Sequence, residues 1–186
     1  MRCQIVCRRM SPAMLFTCLA VAAALFGQMQ PTEAACPSGY QMHDDICYKA
    51  FNTTKIFHDA SLTCAADGGT LAMPKDAGTN TFLISLKNAV DNNAIFRFGL
   101  TDHHQEGVWM WDDNVALGSF RSWGTGEPTN YSDNEDCAEF FSGSHSSRKD
   151  TWNDAPCTYA NRKFICEELR LHVAQQRLLE WVPQLE

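Results

Sequence analysis

Apolar residues recur every three or four positions in two stretches of the first half of the chain. The first stretch begins near Thr54 and stops at Gly68-Gly69, and the second opens at Pro74 and stops at Asp91-Asn92-Asn93. This spacing is typical of helices with one apolar face. The pattern therefore predicts two helices.

The rest of the chain shows short apolar runs between polar segments. Residues 95–100, 108–111, 138–141 and 163–166 are predicted as strands, and residues 36–47 as a small hairpin. Residues 117–136 are rich in Gly, Ser, Asn and acids and lack periodicity. Such long segments inside compact domains are usually functional or disordered. Two helices followed by strands predict an α+β fold.

The N-terminal residues have the features of a secretory signal peptide. Arg2, Arg8 and Arg9 precede an apolar run over residues 14–27, and Thr32-Glu33-Ala34 resembles a cleavage site. The alternative is a membrane anchor, but the run is short for a membrane span. We therefore expect a signal peptide at residues 1–34 and a secreted protein, with no membrane partner.

Residues 35–168 are predicted to form the folded domain, followed by a tail at residues 169–186. Apolar and charged residues are interspersed in the tail, and Pro183 interrupts it. Two readings stay open. The tail packs against the domain as a frayed end, or it forms an amphipathic helix that pairs subunits into an oligomer.

The charge of the chain argues against a nucleic-acid partner. The whole chain has 15 Lys and Arg against 22 Asp and Glu. Without residues 1–34, which hold three Arg and one Glu, 12 basic and 21 acidic residues remain, a net charge of −9. A chain this acidic, without a Lys/Arg cluster, is a poor phosphate binder.

Six of the nine cysteines lie outside the predicted signal peptide, which suits three disulfides in an oxidising compartment. Spacing alone leaves 15 pairings open, and no CxxC pair supports a zinc site. The six are Cys36, Cys47, Cys64, Cys137, Cys157 and Cys166.

Oxygen-bearing side chains are dense around Cys137 and Cys157. Hard oxygen ligands without histidine or thiolate suit Ca²⁺. The sequence therefore predicts a calcium site in a disulfide-linked loop, and the alternative is a set of ordinary solvated loop residues. The side chains are Glu127, Asn130, Glu135, Asp136, Asn153 and Asp154.

Together with the cysteines, several motifs resemble the long form of the C-type lectin-like domain. They include Arg97-Phe98-Gly99-Leu100, Glu127-Pro128, Glu135-Asp136-Cys137 and Trp152-Asn153-Asp154, and the resemblance extends from Cys36 to about Glu168. Arg97 stands where the family usually has Trp. The resemblance implies two helices, short antiparallel sheets and a long calcium-binding loop. It also implies the disulfides Cys36–Cys47, Cys64–Cys166 and Cys137–Cys157.

The resemblance further implies a primary Ca²⁺ site that also binds carbohydrate, with a cis bond between Glu127 and Pro128. Its residues are Glu127, Thr129, Glu135, Asn153 and Asp154. Thr129 stands where mannose-type members have Asn, while the retained Glu127 leans weakly towards mannose-type over galactose-type sugars. An auxiliary Ca²⁺ site maps to Asp102, Glu106, Asn130 and Asp136, with Glu135 as a shared candidate.

These features predict a secreted, calcium-dependent carbohydrate-binding lectin, acting in glycan recognition or innate defence. The alternative is the same fold binding a protein, a lipid or ice without calcium. An enzyme is disfavoured because carboxylates shared with Ca²⁺ stay ionised and make poor general acids. His103-His104 is interpreted as solvated loop. Asn52 and Asn130 begin N-glycosylation sequons, of which Asn52 is the better candidate.

Overall fold

Residues 35–143 and 147–169 are the part of the chain that the computed structural model describes, and they contain two α-helices, eight strands and a short 3-10 helix at Tyr131–Asp133. The signal peptide prediction and, beyond Leu169, the tail prediction lie outside these ranges. No helix in the described part is long and apolar enough to cross a membrane. The helices are α1 (Phe57–Ala66) and α2 (Ala77–Asp91). The strands are β1 (Gln41–His43), β2 (Ile46–Phe51), β3 (Thr70–Leu71), β4 (Phe96–Thr101), β5 (Met110–Trp111), β6 (Cys137–Phe140), β7 (Trp152–Ala155) and β8 (Lys163–Leu169).

The strands form one mixed sheet in the order β1-β2-β8-β4-β6-β7, with β3 on β8 and β5 on β4. The predicted α+β class is confirmed, but the sheet is not purely antiparallel. Strands β4 and β8 are parallel. The Lys163 N–H donates to the Ile95 carbonyl oxygen, so both strands start at the same end of the sheet. Leu169, predicted to begin the tail, ends β8 instead.

Both helices begin later than the apolar pattern predicts. Helix α2 starts after Asp76, whose side chain accepts a hydrogen bond from the Thr79 N–H at 3.0 Å. This cap satisfies an N–H group that has no partner within the first helical turn. Pro74 therefore lies in the connection to the helix rather than at its first turn.

An aromatic cluster around Trp152 fixes the start of β7. The fully buried Trp152 ring packs against Phe98, Trp111 and Trp123. Its indole N–H donates to the Asn80 Oδ1 at 2.8 Å, so the polar atom is satisfied inside the core. The next two residues of β7, Asn153 and Asp154, are thereby held in place.

Three disulfides link distant parts of this fold. They join Cys36 to Cys47, Cys64 to Cys166 and Cys137 to Cys157, which are the pairs that the resemblance implies. The second bond connects α1 to β8. The third connects the start of β6 to the turn that follows β7.

Candidate functional site

Backbone hydrogen bonds hold the segment before Glu127 against β7. The Gly124 N–H donates to the Trp152 carbonyl oxygen, and the Trp152 N–H donates to the Ser122 carbonyl oxygen, at 2.8 and 2.7 Å. The Glu127 N–H then closes a turn onto the Gly124 carbonyl oxygen. The Glu127–Pro128 bond that follows is cis, as the resemblance implies. We call Glu127, Thr129, Glu135, Asn153 and Asp154 the loop site.

The side chain of Asp154 joins β7 to the loop through hydrogen bonds. Its side chain is fully buried. Its two carboxylate oxygens accept hydrogen bonds from the N–H groups of Thr129 (3.0 Å) and Asn130 (2.6 Å). These two bonds fix the loop backbone beside the Asp154 carboxylate.

Glu127 presents a second carboxylate close to that of Asp154. Its Oε1 accepts a hydrogen bond from the Arg148 Nη1 at 2.7 Å, while its Oε2 is buried without a hydrogen-bond partner. Burial raises the pKa of Glu127, and the neighbouring Asp154 raises it further, while Arg148 and Thr129 lower it. The two carboxylates therefore lie close together, and Arg148 and Thr129 offset only part of the repulsion between them.

Glu135 is connected to the same loop through Thr129 and its neighbours. It accepts a hydrogen bond from the Thr129 hydroxyl (2.9 Å) and from the Tyr131 N–H (2.8 Å). The Asn130 Oδ1 accepts from the Glu135 N–H at 3.3 Å. Asn130, which the resemblance places in the auxiliary site, therefore supports the loop site in this structure.

Asn153 makes its side-chain contact with a residue that the sequence analysis missed. Its Nδ2 donates to the Oε1 of the buried Glu139 at 3.2 Å. Burial raises the pKa of Glu139, while Arg162 and then Arg97 oppose this rise. The one signal available in the sequence was Arg97 itself, an unusual charge within an apolar motif.

The proposed auxiliary set is only partly brought together. The nearly buried Asp102 accepts a hydrogen bond from the Gly107 N–H at 2.9 Å, and its Oδ1 has no hydrogen-bond partner. Burial raises the pKa of Asp102, and the charges of Glu106 and Asp136 raise it further. Asp136 lies 3.4 Å from the His103 Nδ1. Glu106 and Asp136 therefore both lie close enough to act on Asp102, while Asn130 is engaged at the loop site.

The donor set of the loop site fits a hard cation. A cation beside Glu127 and Asp154 would relieve their repulsion and would give the Glu127 Oε2 a partner. Within the described residues, no three His, Cys, Asp or Glu side chains are arranged to hold a metal ion together. A cation here would therefore also need neutral oxygens, such as the Thr129 hydroxyl and the Asn153 amide, which Ca²⁺ readily accepts.

The fold, the three disulfides and the acidic loop define a C-type lectin domain. The family model described as the lectin C-type domain matches residues 53–168, and the chain belongs to this family. C-type lectins are binding proteins rather than enzymes, so the prediction that the chain is not an enzyme is confirmed.

Particular relatives agree with this assignment. Collectin-11 of Bos taurus is 32% identical over 136 residues, which cover 73% of this chain and 48% of collectin-11. The chain thus spans about half the length of the first curated relatives it matches. The mouse scavenger receptor C-type lectin carbohydrate-recognition domain is 29% identical, with a TM-score of 0.63 over 73% of this chain and 97% of that domain. The herring type II antifreeze protein, at 23% identity, shares the fold, with a TM-score of 0.62 over 72% of this chain and 98% of that protein.

Proposed function

We propose that this chain is a secreted lectin that binds carbohydrate through a Ca²⁺ ion held at the loop site. The observation that carries the proposal is the pair of facing carboxylates, Glu127 and Asp154, together with the unpartnered Oε2 of Glu127. Arg148 pairs with only one oxygen of Glu127, and a buried carboxylate oxygen that lacks a partner is costly. A divalent cation that binds between these carboxylates would stabilise the site.

The residues that would hold the ion are the five of the loop site. A bound Ca²⁺ would supply coordination positions for vicinal sugar hydroxyls. The Asn153 amide can offer its oxygen to the ion and keep an N–H for a sugar oxygen, and Glu135 can accept a hydrogen bond from a sugar hydroxyl. Thr129, whose hydroxyl now donates to Glu135, has one donor rather than the two of an amide.

These donors and acceptors support a neutral sugar as the ligand, because Glu127 and Glu135 can accept its hydroxyl protons. We propose mannose-type sugars over galactose on the family resemblance, since Glu127 rather than Gln stands in the motif. The auxiliary cluster of Asp102, Glu106 and Asp136 is proposed as a weaker cation site, because the buried Asp102 Oδ1 has no hydrogen-bond partner and the other two acids lie near Asp102. Since Asn130 carries no charge, it could add only a neutral oxygen.

The setting is proposed to be extracellular, because three disulfides persist in oxidising compartments. Of the two sequons, Asn52 is the proposed glycan site. Asn52 is exposed, with its Oδ1 bonded to the Lys163 ammonium, whereas Asn130 is half-buried and its N–H and Oδ1 are both bonded within the loop site. A glycan on Asn52 would therefore leave the loop site intact.

A glycan array probed with calcium and again with chelator tests the proposal. We expect binding to mannose-type glycans in calcium that disappears with chelator and in the Glu135→Gln variant. Asp133→Asn, an exposed acid of the same loop, is the matched control and should bind normally. Binding that persists in chelator, or no glycan binding in calcium, would count against the proposal and favour a calcium-independent ligand.

A further inference from the structure

Three polar side chains form one row across neighbouring strands and end at the loop site. Arg97 on β4 pairs with Glu139 on β6, and Glu139 pairs with Asn153 on β7. Directly paired residues of antiparallel strands share a face of the sheet and have Cβ atoms about 4.5–5.5 Å apart. Arg97 and Glu139 are 0% and 1% exposed. A buried pair of opposite charges therefore adjoins a proposed calcium ligand.

The Glu139 carboxylate has a defined partner on each oxygen. Its Oε2 accepts a hydrogen bond from the Arg162 Nε at 2.8 Å, and its Oε1 accepts from the Asn153 Nδ2 at 3.2 Å and from the Arg162 Nη2 at 3.4 Å. A carboxylate can only accept hydrogen bonds, whereas an Asn side chain has one accepting and one donating end. The nitrogen of the Asn153 amide must therefore face Glu139, and its Oδ1 must point elsewhere.

Arg97 adds charge balance and holds the turn that follows β7. Its Nη2 donates to the carbonyl oxygens of Pro156 (2.8 Å) and Tyr159 (3.0 Å). That turn contains Cys157, which is bonded to Cys137 at the start of β6. A Trp side chain has one N–H donor and no charge, so it could not replace these contacts. The sequence departure at position 97 thus has a structural role.

We propose that Glu139, with its charge balanced by Arg97 and Arg162, is a positioning residue that fixes the Asn153 carboxamide so that its Oδ1 remains available as a cation ligand. The proposal rests on the proposed function for the part that concerns calcium. The orientation of the amide itself is a property of the calcium-free protein. The two parts can therefore be measured separately.

The first measurement follows the side-chain amide signals of Asn153 by ¹⁵N–¹H NMR in the calcium-free full chain. Their loss in Asn153→Asp assigns them. Asn134, an exposed residue of the same loop, supplies the reference. We expect the Asn153 amide protons to exchange with solvent at least about tenfold more slowly than those of Asn134, because one of them is bonded to Glu139. Equal exchange rates would overturn the proposed orientation.

The second measurement is calcium affinity by calorimetry in Glu139→Gln. A Gln can present either an acceptor or a donor to Asn153, so the amide loses its fixed direction. We expect the Asn153 signals to shift and the calcium affinity to fall about 10- to 100-fold, the range seen when groups that orient metal ligands are replaced. Unchanged affinity, within twofold, would overturn the proposal.

Glu139→Gln leaves the buried Arg97 and the half-buried Arg162 with less charge balance, so a second variant guards against a failure to fold. Arg162→Gln is the second variant, because it removes both hydrogen bonds from Arg162 to Glu139 while Arg97 still provides charge. In Arg162→Gln, we expect the Asn153 signals to shift and the calcium affinity to fall by a smaller factor than in Glu139→Gln. Asn153 signals that do not shift would count against the proposal. If the wild-type chain binds no calcium, the proposed function fails, whereas the NMR result still decides the orientation.

Discussion

Arg148 donates a hydrogen bond of 2.7 Å from its Nη1 to the Oε1 of Glu127. The guanidinium also lies over the Phe141 ring, 4.6 Å from its centroid, so both a charge and an aromatic face hold it there. The Arg148 guanidinium therefore binds a carboxylate that is also a proposed calcium ligand. This contact relates residues 21 positions apart and was not predicted from the sequence.

Removing the charge of Arg148 should strengthen calcium binding. The guanidinium repels a divalent ion at Glu127, so Arg148→Gln should raise calcium affinity about 3- to 10-fold, the equivalent of a partly exposed ion pair. Calorimetric titration with calcium measures the change. Lys149→Gln removes the same charge from the adjacent exposed residue and should change affinity less than twofold, on the order expected of a solvated charge. Weaker calcium binding in Arg148→Gln would mean that the guanidinium supports the site.

Neutralising Glu127 should have opposite effects on calcium binding and on the stability of the calcium-free protein. Burial and Asp154 raise the pKa of Glu127, so its ionised form is unfavourable in the folded state. Glu127→Gln should therefore raise the free energy of unfolding in chelator, while calcium affinity falls by roughly tenfold or more. Urea unfolding and calorimetry measure the two effects.

The control for Glu127→Gln is Asp133→Asn, which removes an exposed acid of the same loop. It should leave both quantities nearly unchanged. A loss of stability in chelator for Glu127→Gln would show that the bond to Arg148 outweighs the repulsion from Asp154.

Glu167 should make the fold less stable as the pH rises. Burial raises the pKa of Glu167 from its ordinary value of 4.5 to about 7, although its side chain accepts a hydrogen bond from the Met73 N–H at 2.8 Å. The folded state therefore retains a proton that the unfolded state releases. Its stability contribution is present below about pH 4.5 and is lost as the pH rises through about 7, by at most about 3 kcal/mol.

Urea unfolding in chelator at pH 5 and pH 8 measures this effect. Glu167→Gln keeps an acceptor for the Met73 N–H and cannot ionise, so the stability difference between the variant and the wild type should grow in favour of the variant as the pH rises. A difference that is the same at both pH values would exclude Glu167 as the source.

Removing either of two disulfides should lower stability, but only one of the two removals should weaken calcium binding. Replacing either Cys36–Cys47 or Cys137–Cys157 by alanine pairs should cost about 3 kcal/mol of stability, because both bonds close short loops. Calcium affinity should fall only when Cys137–Cys157 is removed, since that bond holds the turn after Asn153 and Asp154. Chemical unfolding and calorimetry on both variants make the comparison. An equal loss of calcium affinity in both would indicate a global effect.

The helices and the cysteine framework could be predicted because they follow local rules. Apolar spacing located both helices, and the family resemblance implied the three disulfide pairs. Strand β7 was missed because its sequence, Trp152-Asn153-Asp154-Ala155, has no apolar run and forms a strand only by pairing with β6. Lys87 is buried on α2, and its place there depends on tertiary contacts that the sequence does not show, above all its ion pair with Asp150.

For the candidate site, the resemblance supplied the types and positions of the proposed ligands. It did not supply the groups that contact them. Arg148 reaches Glu127 from 21 residues away, and Glu139 reaches Asn153 across a strand pairing 14 residues apart. Such contacts depend on tertiary placement and leave no local pattern. Arg97 was visible as a departure, but its partners Pro156 and Tyr159 were not.

A crystal structure of the protein grown with calcium and a mannose-type monosaccharide tests the central claim most directly. The account predicts a calcium ion bound by Glu127 and Asp154, with Thr129, Glu135 and Asn153 around it and two vicinal sugar hydroxyls on the ion. The absence of an ion at these residues in saturating calcium, or a sugar bound elsewhere on the domain, would contradict it.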